Sequence, residues 1–151
     1  ARGSGTGQGD DKRRLTPERR KKIMDKPKAG DPIDLGAVMA AVKGHPDYDK
    51  VGMVLYHNGV VRRTSRDGRE VSGLRVEVDH ETLEKILERY RRRPGIIDIQ
   101  IRIAEGRDLA VGDDVMFLAV AGDIRENVVP VLREALDEVK WTVTAKTEFF
   151  V

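Results

Sequence analysis

The segment VMFLAVA, residues 115–121, is a run of seven apolar side chains without a single charge. A run of this length is typical of a β-strand whose two faces are both covered by other parts of the chain. Any fold for this sequence must therefore supply apolar residues on either side of this strand. The other periodic segments of the chain are the candidates for those layers.

Three further segments have the pattern of strands. IIDIQIRI, residues 96–103, alternates strictly, which predicts one buried face that carries Ile97, Ile99, Ile101 and Ile103. VGMVLYHNGVVRR and GLRVEVD are apolar or alternating, and the turn sequence RDGRE between them predicts a hairpin. The final residues, WTVTAKTEFFV, have the composition of an edge strand.

Helical spacing occurs three times. The three predicted apolar stripes are Leu35, Val38, Met39 and Val42; then Leu83, Ile86, Leu87 and Tyr90; then Val128, Leu132, Ala135 or Leu136, and Val139. Pro130 fits the third helix only near its first turn, which makes Asn127 the predicted N-cap. The order is helix, strand pair, helix, strand pair, helix, strand. It predicts an α+β fold with helices packed on a mixed or antiparallel sheet.

The charge is distributed unevenly along the chain. Residues 1–31 hold ten Lys and Arg against five Asp and Glu, whereas the other 120 residues hold 18 basic and 21 acidic side chains. We predict a flexible, basic N-terminal extension over residues 1–31 and one domain over residues 32–151. RNA binding through the extension ranks last among the functions considered, because the acidic body gives it little electrostatic support.

Some classes of protein and site are disfavoured by what the sequence lacks. It has no cysteine, no run of eighteen apolar residues and no signal-peptide pattern, so we expect a soluble cytoplasmic protein without disulfides. His45, His57 and His80 have no metal-binding spacing, and we interpret them as ordinary surface or capping residues. We predict no metal and no cofactor.

The segment HNGVVRRTSRDGRE, residues 57–70, concentrates four arginines around one turn: Arg62, Arg63, Arg66 and Arg69. Guanidinium groups suit phosphate or carboxylate ligands, and Gly59 lets the backbone approach a ligand closely. The alternative is a solvated turn whose charges only add solubility.

Two other cationic positions are candidates for anion binding or catalysis. Arg125 lies at a predicted helix N-terminus, where free N–H groups also favour an anion, although a lone arginine at a strand end is common. Lys140 ends the third helix, and Lys146 follows it by six residues. A lysine there ordinarily complements the helix dipole, but beside other cations its lowered pKa makes it a candidate proton shuttle or nucleophile.

From about Leu35 to Val151 the sequence resembles the large, catalytic subunits of molybdopterin synthase. HNGVVR is similar to the family's Gly-Thr-Val-Arg segment, and FLAVAGDIRENVVPVL is similar to its Val-Ala-Val and His-Arg segment before a helix. ALDEVK resembles the helix end that carries the catalytic lysine, and AKTEFF resembles the Trp-Lys-Lys-Glu tail. The order and spacing of the four motifs carry the resemblance.

The resemblance implies an α/β hammerhead fold, a central homodimer within a heterotetramer, and a role in molybdenum cofactor biosynthesis. It implies that cyclic pyranopterin monophosphate receives sulfur from the Gly-Gly thiocarboxylate of a small, ubiquitin-like subunit, forming the dithiolene of molybdopterin. Lys140 matches the catalytic lysine of the family, and Arg125 reaches the site across the dimer interface. The substrate-binding residues implied are Val60, Val61, Arg62, Ile124, Arg125, Lys146, Thr147 and Glu148.

The sequence also departs from the family pattern. The family has a histidine where Ile124 stands, and isoleucine cannot hydrogen-bond a phosphate. The tail has TAKTE in place of a tryptophan and two lysines, and the spacing from Lys140 to Lys146 is one residue short. The alternative function is therefore that of a non-catalytic homologue, which keeps the fold and an anion- or pterin-binding pocket but serves as a scaffold.

Overall fold

The computed structural model describes residues 31–151, so the predicted extension lies almost wholly outside the described residues. The helices are α1 (Leu35–Lys43), α2 (His80–Arg91) and α3 (Arg125–Thr142), with a short 3₁₀ turn at Tyr48–Lys50. The strands are β1 (Met53–Val60), β2 (Val71–Val78), β3 (Ile96–Ile103), β4 (Asp108–Ala110), β5 (Asp114–Gly122) and β6 (Thr144–Phe150).

The strands form two antiparallel sheets of three strands each. The first sheet has the order β1-β5-β3 and the second has the order β4-β2-β6. The predicted α+β class is confirmed, and every strand pairing within residues 31–151 is antiparallel. The predicted hairpin is wrong, because β1 and β2 belong to different sheets and only Thr64 and Glu70 bridge at its turn. A turn sequence fixes where the chain reverses, but it does not fix which strand each arm pairs with.

Strand β5 is buried on both faces, as its composition predicts. Met116, Leu118 and Val120 pack against α2 and α3, whereas Phe117 and Ala119 pack against α1 on the opposite face. The helices contribute the predicted stripes, except that Met39 of α1 is 38% exposed. The first sheet therefore has α1 on one face and both α2 and α3 on the other.

The inward face of β3 differs from the prediction by one residue. A β-bulge between Ile96 and Asp98 shifts the register, so that Ile96 joins the core and Ile97 is only half-buried. Beyond the bulge Ile99 and Ile101 face inward as predicted. Alternation in the sequence cannot show a bulge, because one inserted residue changes the face only locally.

The start of α3 also differs from the prediction. The N-cap is Ile124, which makes no side-chain capping bond, and Asn127 lies in the first turn with its amide donating to Asp123 Oδ1 at 2.8 Å. Pro130 is the sixth residue of the helix rather than part of its first turn. Its missing N–H leaves the carbonyl of Glu126 without the usual partner, but both residues are exposed and water can hydrate that carbonyl.

Helices α2 and α3 are joined by a polar contact above their apolar interface. The Tyr90 hydroxyl donates to Glu138 Oε2 at 2.6 Å, and Arg89 pairs with the same carboxylate. Burial and the neighbouring carboxylate raise the pKa of Tyr90 to about 12, so the hydroxyl stays a donor at any physiological pH. The contact fixes how α3 lies on the first sheet.

We expect Tyr90→Phe to lower the free energy of unfolding by about 2 kcal/mol, the usual contribution of a hydrogen bond to a charged acceptor after solvent competition. Urea denaturation at pH 7 measures it. The control is Tyr48→Phe, because the Tyr48 hydroxyl makes no hydrogen bond within residues 31–151. An equal loss in both variants would contradict a specific role for the contact with Glu138.

Candidate active site

The C-terminal end of α3 lies over the end of β1. Strand β1 runs antiparallel to β5, with Met53 opposite Gly122 and Gly59 opposite Met116. Helix α3 follows β5 almost directly and returns across the sheet, and Val139 near its end packs in the same cluster as Met116. Its last turn therefore lies beside the point where β1 ends.

Lys140 and His57 lie close together at this point. His57 is a half-buried residue of β1 opposite Leu118, on the face that packs against α3. Burial lowers the pKa of His57, and the positive charge of Lys140 lowers it further. The imidazole is therefore neutral at pH 7. Lys140 itself is exposed.

The three residues that follow Gly59 at the end of β1 differ in their exposure to solvent. Val60 is 49% exposed, whereas Val61 is 2% exposed and packs between the two sheets with Leu74, Val76, Ala104 and Leu109. The Val61 N–H donates to the carbonyl of Asp113 at 2.9 Å. This buried residue fixes the backbone on either side of it, so that Val60 and Arg62 are presented to solvent.

The segment 62–70, here called the arginine loop, uses its arginines differently. Arg69 pairs with Asp67 at 2.9 Å, and its guanidinium stacks on the Phe150 ring with 3.7 Å to the centroid. Gly68 has φ +86°, which lets the loop turn without strain. Arg69 thus fastens the loop to the end of β6 and is not available for a ligand.

The other arginines of the loop are less engaged. Arg62 donates from Nε to the Thr64 carbonyl at 2.7 Å, which leaves its two terminal nitrogens unused. Arg63 and Arg66 make no side-chain hydrogen bond or ion pair within residues 31–151. Arg62 is the one that directly follows the buried anchor Val61, so its position is the best defined.

Strand β6 carries its predicted residues on two faces. Lys146 lies opposite Val76 and Glu148 opposite Leu74, so both belong to the sheet face that packs on Val61, and they pair with each other at 3.2 Å. Thr147 lies opposite Arg75 and belongs to the other face. The charge of Lys146 is therefore largely compensated inside the chain, unlike that of Lys140.

Ile124 and Arg125 lie at the opposite end of α3. The helix separates Arg125 from Lys140 by fifteen residues, or about 22 Å along its axis. Ile124 is 53% exposed, and its N–H donates to Asp123 Oδ1, which with the Asn127 amide lowers the pKa of Asp123. Arg125 of one chain therefore cannot share a binding site with Lys140 of the same chain.

Comparison with known proteins identifies the family. A family model described as MoaE protein matches residues 29–142. The chain belongs to the MoaE family. The predicted resemblance to molybdopterin synthase large subunits is confirmed, while no curated protein sequence matches the chain.

Solved structures agree with this family and fold. Molybdopterin cofactor biosynthesis protein E from Burkholderia multivorans is 29% identical over 81% of this chain and 86% of its own, with a TM-score of 0.64. Molybdopterin synthase from Staphylococcus aureus is 19% identical over 80% and 88%, with a TM-score of 0.65. A chain in a complex of subunits 1 and 2 of molybdopterin-converting factor from Helicobacter pylori is 15% identical to this chain. The match covers 80% of this chain and 85% of that chain, with a TM-score of 0.61.

In this MoaE chain three of the candidate cations, Lys140, Arg62 and Arg125, lack acidic partners within residues 31–151. Lys140 and Arg125 make no ion pair among the described residues, and Arg62 makes only its bond to a carbonyl. In a domain with more acidic than basic side chains, such unpaired cations are suited to an anionic ligand. No group of three His, Asp or Glu side chains within residues 31–151 is placed to hold a metal, and no helix in that range is long and apolar enough to cross a membrane.

His57 is the residue that the sequence interpretation missed. In β1 its side chain lies on the same face as those of Met53 and Leu55, which pack against the core, so it is half-buried rather than at the surface. The alternation of residues along β1 indicates this burial. The proximity of His57 to Lys140 depends on the path of α3 and could not be predicted from the local sequence.

We expect Lys140→Gln to raise the pKa of His57 without bringing it fully to 6.5, because burial would still act on the imidazole. Titration of the imidazole C–H resonances by NMR between pH 4.5 and 8 measures the change. The control is Lys85→Gln, since Lys85 lies on α2 and pairs with Glu81. An unchanged His57 titration in the Lys140 variant would contradict the proximity of the two groups.

Proposed function

We propose that this chain is the catalytic subunit of a molybdopterin synthase and transfers sulfur to cyclic pyranopterin monophosphate in molybdenum cofactor biosynthesis. The observation that carries the proposal is the unpaired ammonium of Lys140 beside the end of β1, where Val60, Val61 and Arg62 leave the strand. Membership in the MoaE family supports the reaction class. The absence of cysteine fits sulfur that arrives on another protein, and a reducing, cytoplasmic setting.

The residues take separate roles in this reaction. Arg62 binds the phosphate of the precursor through its free terminal nitrogens and orients the pterin. Lys140 assists the attack of the thiocarboxylate sulfur and stabilises the negative charge that develops. In each transfer one carbon–sulfur bond forms on the precursor while a carbon–oxygen bond there breaks. Water then hydrolyses the acyl–sulfur bond, which leaves the sulfur on the precursor and releases the donor tail as a carboxylate. In this proposal the paired Lys146 and Glu148, with Thr147 between them in sequence, contact the substrate from the β6 side.

The sulfur donor in this proposal is the Gly-Gly thiocarboxylate of a small, ubiquitin-like subunit. The Helicobacter pylori complex joins two subunits of molybdopterin-converting factor on the same large-subunit fold. A diglycine tail has no side chains, so it can approach the exposed Lys140 closely. Val60 and the end of β6 are exposed apolar surfaces that could contact such a partner.

The site is completed by a second copy of the chain. Because Arg125 lies about 22 Å from Lys140 in one chain, it can contribute only from a partner chain. A two-fold dimer supplies such an arrangement twice, since each Arg125 then approaches the Lys140 of the other chain. Ile124 accompanies Arg125 there as an apolar contact rather than as a hydrogen-bonding group.

We expect Lys140→Ala to retain precursor binding but to lose at least about a hundredfold in dithiolene formation, because charge stabilisation in the transition state is removed. Turnover is measured with the thiocarboxylated small subunit and purified precursor. Lys85→Ala, on the outer face of α2, is the matched control. Unchanged turnover in the Lys140 variant would refute its catalytic role, and the absence of turnover in the unaltered protein would favour the scaffold function.

A mixing experiment tests the shared site. Arg125→Ala and Lys140→Ala chains, each inactive alone, are unfolded together and refolded, or co-expressed with different tags. If each site takes Arg125 from one chain and Lys140 from the other, half the dimers are mixed and hold one intact site. Activity then recovers to about a quarter of the unaltered level. If both residues acted within one chain, no mixed dimer would hold an intact site and activity would stay absent.

A further inference from the structure

His57 is a polar group without a partner at the centre of the candidate site. Neither ring nitrogen makes a hydrogen bond or ion pair within residues 31–151, although the residue is half-buried. The other two histidines are engaged, with His45 Nδ1 accepting from the Asp47 N–H at 3.0 Å and His80 Nε2 contacting Glu105 at 2.5 Å. The ring nitrogens of His57 are not fully buried, so they remain open to water or to a ligand.

The surroundings of His57 explain why the fold supplies no partner. Its neighbours on the paired strand β5 are Met116 and Leu118, which have only apolar side chains. The charge that acts on it is the ammonium of Lys140 from α3, which repels a protonated imidazole. No carboxylate of the described residues offsets that repulsion.

The ring is also oriented toward the substrate-binding segment. A Cβ placed on Gly59 would lie 3.5 Å from His57 Nε2, so this nitrogen faces the part of β1 that leads to Val60 and Arg62. Gly59 adds no side chain of its own beside Nε2, and the Cβ of Met116 lies 3.7 Å from the same point. Nε2, the Lys140 ammonium and the Arg62 segment thus lie around one end of the first sheet.

We propose that His57 and Lys140 together contact an anionic group of the ligand, and that the bound anion favours the protonated imidazole. The anion is a phosphate or a carboxylate-type group, which are the anions of the precursor and of the donor tail. The inference rests on the proposed function for those two sources, but anion binding by the pair can be measured without turnover.

The dependence of anion affinity on pH follows from the difference in the pKa of His57 between the free and the anion-bound protein. In the free protein, burial and Lys140 hold the pKa of His57 below 6.5, so the imidazole is neutral at pH 7. A bound anion favours the imidazolium and raises that pKa. Between the free and bound pKa values, anion affinity rises as the pH falls, by up to tenfold per pH unit, because binding takes up one proton. Above both values the dependence disappears.

Two probes distinguish the sources of the anion. Sulfate represents the phosphate group and keeps its charge between pH 5 and 8, and a short peptide that ends in Gly-Gly represents the carboxylate of the tail. We expect one or both to raise the pKa of His57 by about one unit in an NMR titration, which corresponds to about tenfold tighter binding at low pH. The probe that produces the shift identifies the anion at this position.

The matched variants are His57→Gln and His80→Gln. The first should bind the effective probe with an affinity that no longer rises as the pH falls, whereas the second should behave as the unaltered protein. If neither probe moves the His57 titration, or if His57→Gln keeps the full pH dependence, the inference is overturned. That result would not bear on the proposed role of Lys140 in turnover. Conversely, a protein without turnover could still bind the anion through His57 and Lys140.

Discussion

Burial of β5 on both faces determines most of this structure. Leu118, Ala119, Val120 and Ala121 are completely inaccessible to solvent, and each face of the strand belongs to a different apolar cluster. Covering both faces requires α1 on one side and α2 with α3 on the other. Because α3 follows β5 with only two residues between them, it must return antiparallel across the sheet, and this return brings its last turn to the end of β1.

The fold could be predicted from the sequence where the information is local. The apolar run of β5, the helical stripes and the turn at Gly68 each depend on a few neighbouring residues, and the structure shows them in place. The pairing of β1 and β2 could not be predicted in this way, because an alternating strand is equally compatible with several partners. The bulge at Ile97 and the position of Pro130 in the second turn of α3 likewise depend on tertiary contacts.

The candidate site could be predicted only in part for the same reason. Arg62 and Lys140 stand out by charge and by their place in the family motifs, and they lie at the same end of the molecule. Two features of the site join residues distant in sequence: Arg69 stacks on Phe150, and the charge of Lys140 acts on His57. Lys146 and Glu148 are only two residues apart, but their ion pair also depends on both side chains lying on one face of β6. A motif names residue types, but only packing shows which of their charges are already neutralised.

Unpaired charge lies next to a half-buried imidazole at the candidate site. Many basic side chains elsewhere pair with acids, as Arg75 does with Glu77 and Asp108, and others stay in water without an acidic partner. At the end of β1 a cation lies beside a half-buried imidazole, and no carboxylate within residues 31–151 pairs with either of them. This arrangement destabilises the empty site as the pH falls through the lowered pKa of His57. In the proposed site a bound anion removes that penalty, so the same arrangement would favour the complex with an anionic ligand over the empty site.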